Sequence, residues 1–232
     1  MRNKETRQLM KAFLVNPKVK MQYPITGITS QFDSVIVFIN LEKLGEDTFE
    51  PFGIRQMDTV LNVIDVYNEP NVELTPSNII ITTDKDKQEI RTASQEMTNL
   101  IKSPKYEALK TIETNTTMFE KIMEVEISKS DLSSKLKVQR LLGLEILKIE
   151  ADGDATLSVC NMNGQVTDNE AKSEINGSGN GTFILNVEDI GLIPIMDYNV
   201  KVYKNTQNGA QISIWRLPEH DAIEIIITEK QN

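Results

Sequence analysis

Apolar positions recur at helical spacing in a few short stretches and at strand spacing through most of the remaining chain. From Lys4 to Leu14, the residues Leu9, Met10, Phe13 and Leu14 share one helical face, while Lys4, Arg7 and Lys11 fall at i, i+3 and i+7 on the opposite one. Asn16-Pro17 ends that helix, because the residue before proline is pushed out of the helical region. Strand signals follow at Ile25-Thr26-Gly27-Ile28 and in the β-branched run Val35 to Ile39. A second helix is predicted from about Ile54 to Tyr67, with Ile54, Met57, Leu61 and Ile64 on one face and Asn68-Glu69-Pro70 closing it. Asn71 to Thr75, Ile79 to Ile81 and a returning strand near Glu89 to Thr92 then read as a β-meander.

Residues Ser94 to Met118 show no clear period and contain Lys102-Ser103-Pro104-Lys105, which reads as a connector between two domains. Beyond it, a strand at Ile122 to Ile127 leads to Ser130-Asp131, read as an N-cap, and a helix from Leu132 to about Leu142. Leu132, Leu136, Val138 and Leu142 form its apolar side, Lys135 lies near that side, and Ser133, Lys137 and Arg140 lie opposite. Strands are predicted at Ile146 to Ile149 and Thr156 to Val159, turning at Asp152-Gly153-Asp154. The glycine-rich stretch Asn176 to Gly181 reads as a flexible turn before Thr182 to Leu185 and a short helix from Val187 to Ile193. Tyr198 to Tyr203, Ala210 to Trp215 and Ala222 to Thr228 close the pattern, with an Asn208-Gly209 hairpin signal between the first two.

The two halves share the order helix, strands, helix, meander, so the chain reads as a structural repeat with poor residue identity between copies. The predicted class is α+β: two similar domains, each with two helices packed on antiparallel sheets. The boundaries predicted are 1–100, a connector at 101–118, and 119–232.

Charge then singles out one end. The first 20 residues hold Arg2, Lys4, Arg7, Lys11, Lys18 and Lys20 against Glu5, so the chain's formal −9 leaves −14 on the other 212 residues. A localised cationic patch on an acidic protein points to nucleic acid, an anionic surface or an acidic partner. Catalytic chemistry has little support. His220 is the single histidine, in an apparent turn, and Cys160 is the single cysteine, with no neighbouring ligand or base. Asp152 and Asp154 read as turn residues, and the glycine stretch precedes a strand, not the helix N-terminus a phosphate cradle needs. No catalytic residue, metal site or cofactor is expected. One cysteine excludes an intramolecular disulfide and suits a reducing compartment. The basic N-terminal segment lacks the apolar run of a secretion signal, and no apolar run approaches the ~20 residues of a membrane helix.

With these elements in place, the chain resembles the DNA polymerase sliding clamps, most of all the compact clamps of tailed phages. The resemblance rests on the doubled plan, on Lys4 to Phe13, on Asp131-Leu132 leading to Lys137-Val138-Gln139-Arg140, and on the order Thr182 to Asn186, Asp197-Tyr198, Asn208-Gly209-Ala210. It implies three copies closing into a ring of six domains, sheets outside and helices lining a hole around duplex DNA. It implies Lys4, Arg7, Lys11, Lys137 and Arg140 as DNA-facing residues, with Lys18, Lys20 and Arg55 beside them. It also implies an ATP-driven clamp loader, a DNA polymerase, and an apolar peptide groove near the connector, for which Tyr106, Leu109 and Ile112 mark the location. The setting it implies is the cytoplasm of a bacterial host cell. Asp58 and Asp65 on the second helix depart from a uniformly positive lining. Competing readings are a monomeric DNA-binding processivity factor, a β-rich oligomeric virion protein with its N-terminal bases on packaged genome, and, last, a metal-dependent nuclease.

Overall fold

The computed structural model describes residues 8, 9, 11–13, 20–22, 27–32, 34–40, 43, 44, 57–67, 70–75, 78–91, 106–161 and 170–230. The chain divides into two compact units, Met1–Tyr106 and Glu107–Asn232.

In the first unit, residues 8, 9 and 11–13 are helical (α1), and Phe13 is fully buried. Strands β1 (Lys20–Gln22), β2 (Gly27–Phe32) and β3 (Val35–Asn40) pair antiparallel in that order. Val35, Val37, Phe38 and Ile39 are all buried, so β3 is covered on both faces, as its unbroken apolar run requires. Helix α2 (Met57–Val66) buries Val60, Leu61 and Ile64, the i, i+1, i+4 face of an amphipathic helix. Strands β4 (Asn71–Leu74), β5 (Asn78–Thr82) and β6 (Lys87–Arg91) form the expected meander, with Ile79 and Ile81 inward. The Thr75 hydroxyl accepts from the Asn78 N–H at 3.0 Å and ties the first of its turns.

The second unit opens within helix α3 (Tyr106–Thr114), inside the segment read as a connector. Nine residues with few large apolar positions give too short a pattern to read as a period. The helix is held by Glu113, whose carboxylate accepts from the Arg216 guanidinium, Nη1 to Oε1 at 2.9 Å, while Arg216 Nε donates to Glu224 at 2.9 Å. Strands β7 (Phe119–Ile127), β8 (Ile146–Cys160), β9 (Ala171–Asn186), β10 (Tyr198–Asn205), β11 (Gln211–Leu217) and β12 (His220–Thr228) run in the order β12-β11-β10-β7-β9-β8. Helix α4 (Lys129–Leu142) packs on β8 and β9, and α5 (Val187–Ile190) is a single turn, shorter than the predicted Val187 to Ile193.

Two predicted turns are strand. Asp152-Gly153-Asp154 is not a hairpin tip: β8 stays paired with β9 on both sides of it, from Ile146↔Asn186 to Val159↔Ala171. Gly153 has φ 83° and the register shifts between Asp154 and Ala155, so the residues form a bulge at which the long ribbon bends. The bend brings the two ends of β8 together, Glu145 N–H donating to the Cys160 carbonyl at 3.2 Å. The glycine-rich stretch is likewise within β9, where it pairs antiparallel with β7, Gly179 opposite Met123 and Gly177 opposite Val125. A Cβ on Gly179 would stand 2.4 Å from the Ile122 carbonyl oxygen and 2.5 Å from Met123 Cα, at a φ of 151°. Close approach of two backbones, not flexibility, is what the glycine provides. The Asn208-Gly209 signal does mark a hairpin, joining β10 to β11.

Trp215 and Tyr198 stack edge to face at 5.4 Å in the core of this unit, with Phe183, Leu157 and Val200 also fully buried. The Trp215 indole N–H donates to the Ser213 hydroxyl at 2.8 Å, which donates to the Ile227 carbonyl at 3.1 Å. Both buried polar groups are thereby satisfied.

Candidate nucleic-acid interface

Helix α4 begins two residues before the predicted cap. Ser128 is the N-cap, its hydroxyl accepting from the Asp131 N–H at 3.1 Å, and the Ser128-x-x-Asp131 spacing is that of a capping box. The Lys129 N–H donates to Asp197 Oδ1 at 2.6 Å, a carboxylate set where the helix dipole favours negative charge. At the other end Gly143 adopts a left-handed conformation, and the Leu144 N–H reaches the Gln139 carbonyl at 3.1 Å. Gln139 Nε2 closes the same corner by donating to the Leu144 carbonyl at 2.8 Å. The helix is thus tied at both ends and presents a rigid outer face.

Leu132 and Leu136 anchor α4 as expected, and Lys135 joins them at 6% exposure. Burial holds the Lys135 ammonium below the usual lysine range, an effect that Asp131 partly offsets. Leu142, expected on the apolar side, is instead exposed, as is Leu141. Lys137 and Arg140 point outward and make no ion pair among the described residues. Four bases against Asp131 give the helix a formal +3.

Lysines of the sheet behave differently. Lys121 pairs with Glu124 at 2.6 Å and holds that carboxyl below its usual range, Lys148 pairs with Glu150 and Glu170 at 3.1 and 3.3 Å, and Lys172 reaches Glu150 at 3.4 Å. Their charge is neutralised within the strand surface, whereas the charge of Lys137 and Arg140 is open to a partner. The N-terminal end of α4 is acidic: Glu126, Asp131, Asp154, Glu174 and Asp197 line a cleft of about 590 Å³. About 13 Å of helix axis, at 1.5 Å per residue, separates Asp131 from Arg140. Apart from Lys129, the exposed positive charge of the helix therefore lies in its C-terminal half, away from the acidic cleft.

The remaining predicted positions fare unequally. Lys11 is on α1 but forms an ion pair with Asp65 of α2, so part of its charge is neutralised within the unit. Lys20 lies in strand β1, not on a helix. Lys4, Arg7, Lys18 and Arg55 lie outside the described residues. Of the groove positions, Tyr106 and Leu109 are on α3, and Ile112 is 3% exposed, so its side chain belongs to the core and offers no surface to a peptide. Lys129, exposed at the start of α4, escapes a reading that begins the helix at Leu132; the capping-box spacing is the signal that includes it.

Acid-base or nucleophilic chemistry finds no arrangement to use among the described residues. Burial pushes the Cys160 thiol above its ordinary value, the opposite of an activated thiolate. Among the described residues no group of three or more His, Cys, Asp or Glu side chains could hold a metal ion, and no helix is long and apolar enough to cross a membrane.

No protein-family model and no curated protein matches the sequence. Solved structures do. The chain is similar to the DNA polymerase III subunit beta of Pseudomonas aeruginosa, at 11% identity and a TM-score of 0.62, over 100% of this chain and 65% of that one. It is similar to the pol III beta of Caulobacter crescentus, at 9% identity and a TM-score of 0.63, over 98% of this chain and 64% of that one. The beta subunit from DNA polymerase of Streptococcus pyogenes matches at 12% identity and a TM-score of 0.56, over 97% and 62%. The chain therefore spans less than two thirds of the length of these structures while itself being covered almost end to end. At this identity the likeness is one of fold, and the fold of the chain is that of the DNA polymerase sliding clamps.

Proposed function

We propose that this chain is a non-catalytic sliding clamp, of the compact type found in tailed phages, that encircles duplex DNA and tethers a replicative DNA polymerase. The observation that carries the reading is the outer face of α4, where Lys137 and Arg140 stand exposed and unpaired among the described residues of a chain with formal charge −9. The clamp fold and the two-unit division support it, since two units per chain make a six-unit ring from three copies. A clamp-loader ATPase that opens the ring, and the cytoplasm of a bacterial host, complete the proposal.

Electrostatics then sets how the ring moves. A protein gripping DNA through ~6–10 phosphate contacts loses ~10³–10⁵ in affinity over a modest rise in salt and holds one register. A few cations per copy, at the C-terminal half of α4 and on the N-terminal segment, centre the duplex without reading bases. Retention comes from closure of the ring, and the acidic remainder of the surface discourages binding elsewhere.

The test has two steps. Light scattering on the pure chain at micromolar concentration is expected to give three times 26.2 kDa. Protein loaded on nicked circular DNA is then expected to remain until the circle is linearised. A monomer that holds circular and linear DNA equally well overturns the ring in favour of a monomeric processivity factor. An oligomer with no topology dependence favours a virion protein.

A further inference from the structure

Asn-Gly pairs are chemically labile, because glycine leaves the peptide nitrogen that follows the asparagine uncrowded. Three such pairs fall among the described residues, Asn176-Gly177, Asn180-Gly181 and Asn208-Gly209, and a fourth, Asn163-Gly164, lies outside them. All three described asparagines are exposed, so access to water does not separate them. Their backbone settings do.

In the reaction the glycine nitrogen attacks the asparagine Cγ and forms the new C–N bond of a five-membered imide. The bond from Cγ to the side-chain nitrogen breaks, and ammonia leaves with the proton that the glycine nitrogen gave up. Water then adds to either imide carbonyl and opens the ring to aspartate or isoaspartate, so an amide and a water become a carboxylate and an ammonium ion. Ring closure turns the Asn-Gly peptide out of the extended course that strand pairing requires.

Two of the pairs are held in that course. In β9, Asn176-Gly177 stands opposite Glu126 and Val125 of β7, and Asn180-Gly181 opposite Asp152 and Ala151 of β8. The Asn176 amide also donates to Glu126 Oε2 at 3.3 Å, which holds the group that would leave. A Cβ on Gly177 would lie 2.5 Å from the Glu124 carbonyl oxygen, so this peptide has little room to turn.

Asn208 is already in the turn between β10 and β11. The Ala210 N–H donates to Asn208 Oδ1 at 3.0 Å, folding the side chain back over the Gly209 peptide. That donor sits on the oxygen where negative charge gathers as the nitrogen attacks. A Cβ on Gly209 would meet only Lys204 Cε, at 3.9 Å. One bond opposes the attack: the Gly209 N–H donates to the Asn205 carbonyl at 2.9 Å and has to be released. It closes an exposed turn, and no strand pairing is lost with it.

We infer that Asn208 is the site of spontaneous deamidation in the folded chain, with Gly209 supplying the attacking nitrogen. The position has a structural consequence. In the same hairpin the Thr206 N–H donates to the Met118 carbonyl at 2.9 Å and the Thr206 hydroxyl to the Thr117 carbonyl at 2.9 Å, clasping the turn that joins α3 to β7. Isoaspartate at 208 lengthens the main chain beside this clasp, and either product adds a negative charge there.

The experiment ages the full chain in mildly alkaline buffer, once native and once in urea, then digests it in acid and separates the peptides by chromatography with mass detection. In urea the three asparagines are expected to react at similar rates, since glycine follows each. In the native chain, leaving β9 costs at least one more net hydrogen bond than opening the turn, so Asn208 is expected to react roughly tenfold faster than Asn176 or Asn180. A native Asn208 no faster than both overturns the inference. An equal lead for Asn208 in urea places the cause in the local sequence and overturns it as well.

Discussion

Gly179→Ala probes the packing of the second unit most directly. At this point β9 pairs closely with β7, and the added methyl would lie 2.4 Å from the Ile122 carbonyl oxygen and 2.5 Å from Met123 Cα, both backbone atoms that cannot rotate away. Relief requires the strands to part, which for overpacking typically costs about 1–3 kcal/mol. The φ of 151° adds roughly 1–3 kcal/mol for a residue with a Cβ. A loss of about 4 kcal/mol is expected from the two effects together. Gly153→Ala isolates the second effect: its φ is 83° but nothing lies within 4 Å of the new methyl, so about 1–2 kcal/mol is expected. Trp215 is the sole tryptophan of the chain and is fully buried in this unit, so urea unfolding followed by its fluorescence reports on the right part of the molecule. The expected result is a midpoint lowered much further by Gly179→Ala than by Gly153→Ala, with a gap of about 2 kcal/mol. Equal losses, or a Gly179→Ala loss below about 1 kcal/mol, would refute the close approach of the two strands and restore the stretch as an ordinary flexible turn.

Three further outcomes follow from the geometry. Lys137→Ala with Arg140→Ala is expected to reduce the log–log salt slope of DNA association by about one for each phosphate no longer neutralised, and to shorten processive synthesis with the oligomer mass unchanged; an unchanged salt slope removes α4 from the DNA interface. Arg216 holds the Glu113 carboxyl below its ordinary value near 4.5, so this group contributes stability above that pH and loses it as pH falls through the lowered folded value. Glu113→Gln is accordingly expected to flatten the acid limb of a urea-stability profile, and a parallel profile for variant and parent counts against the linkage. Ser128→Ala removes the cap of α4 and is expected to cost about 1 kcal/mol in the same unfolding assay, against no loss if Asp131 alone caps the turn.

Where the local pattern and the final environment agree, the elements could be read directly. The run Val35 to Ile39, the meander from Asn71 to Arg91 and the three closing strands are β-branched or alternating, and they are strands. Lys137 and Arg140 lie opposite Leu132 and Leu136 by helical geometry alone, and they are exposed. Helix α3 escaped because Glu113 is held by Arg216, 103 residues away, a pairing with no local signature.

What the amino-acid order determined by itself was periodicity, charge placement and the doubled plan, since these depend on side-chain chemistry within one or two turns or one strand. The tertiary structure decided which glycines turn the chain and which let two backbones touch. Gly153, Gly179 and Gly209 look alike in sequence; one bends a ribbon, one lies close against Met123 of the paired strand, and one serves a hairpin. Only the packed structure also decided that Leu141 and Leu142 remain outside, because burial depends on whether a neighbouring element reaches the end of the helix, and hydrophobicity alone cannot supply that neighbour.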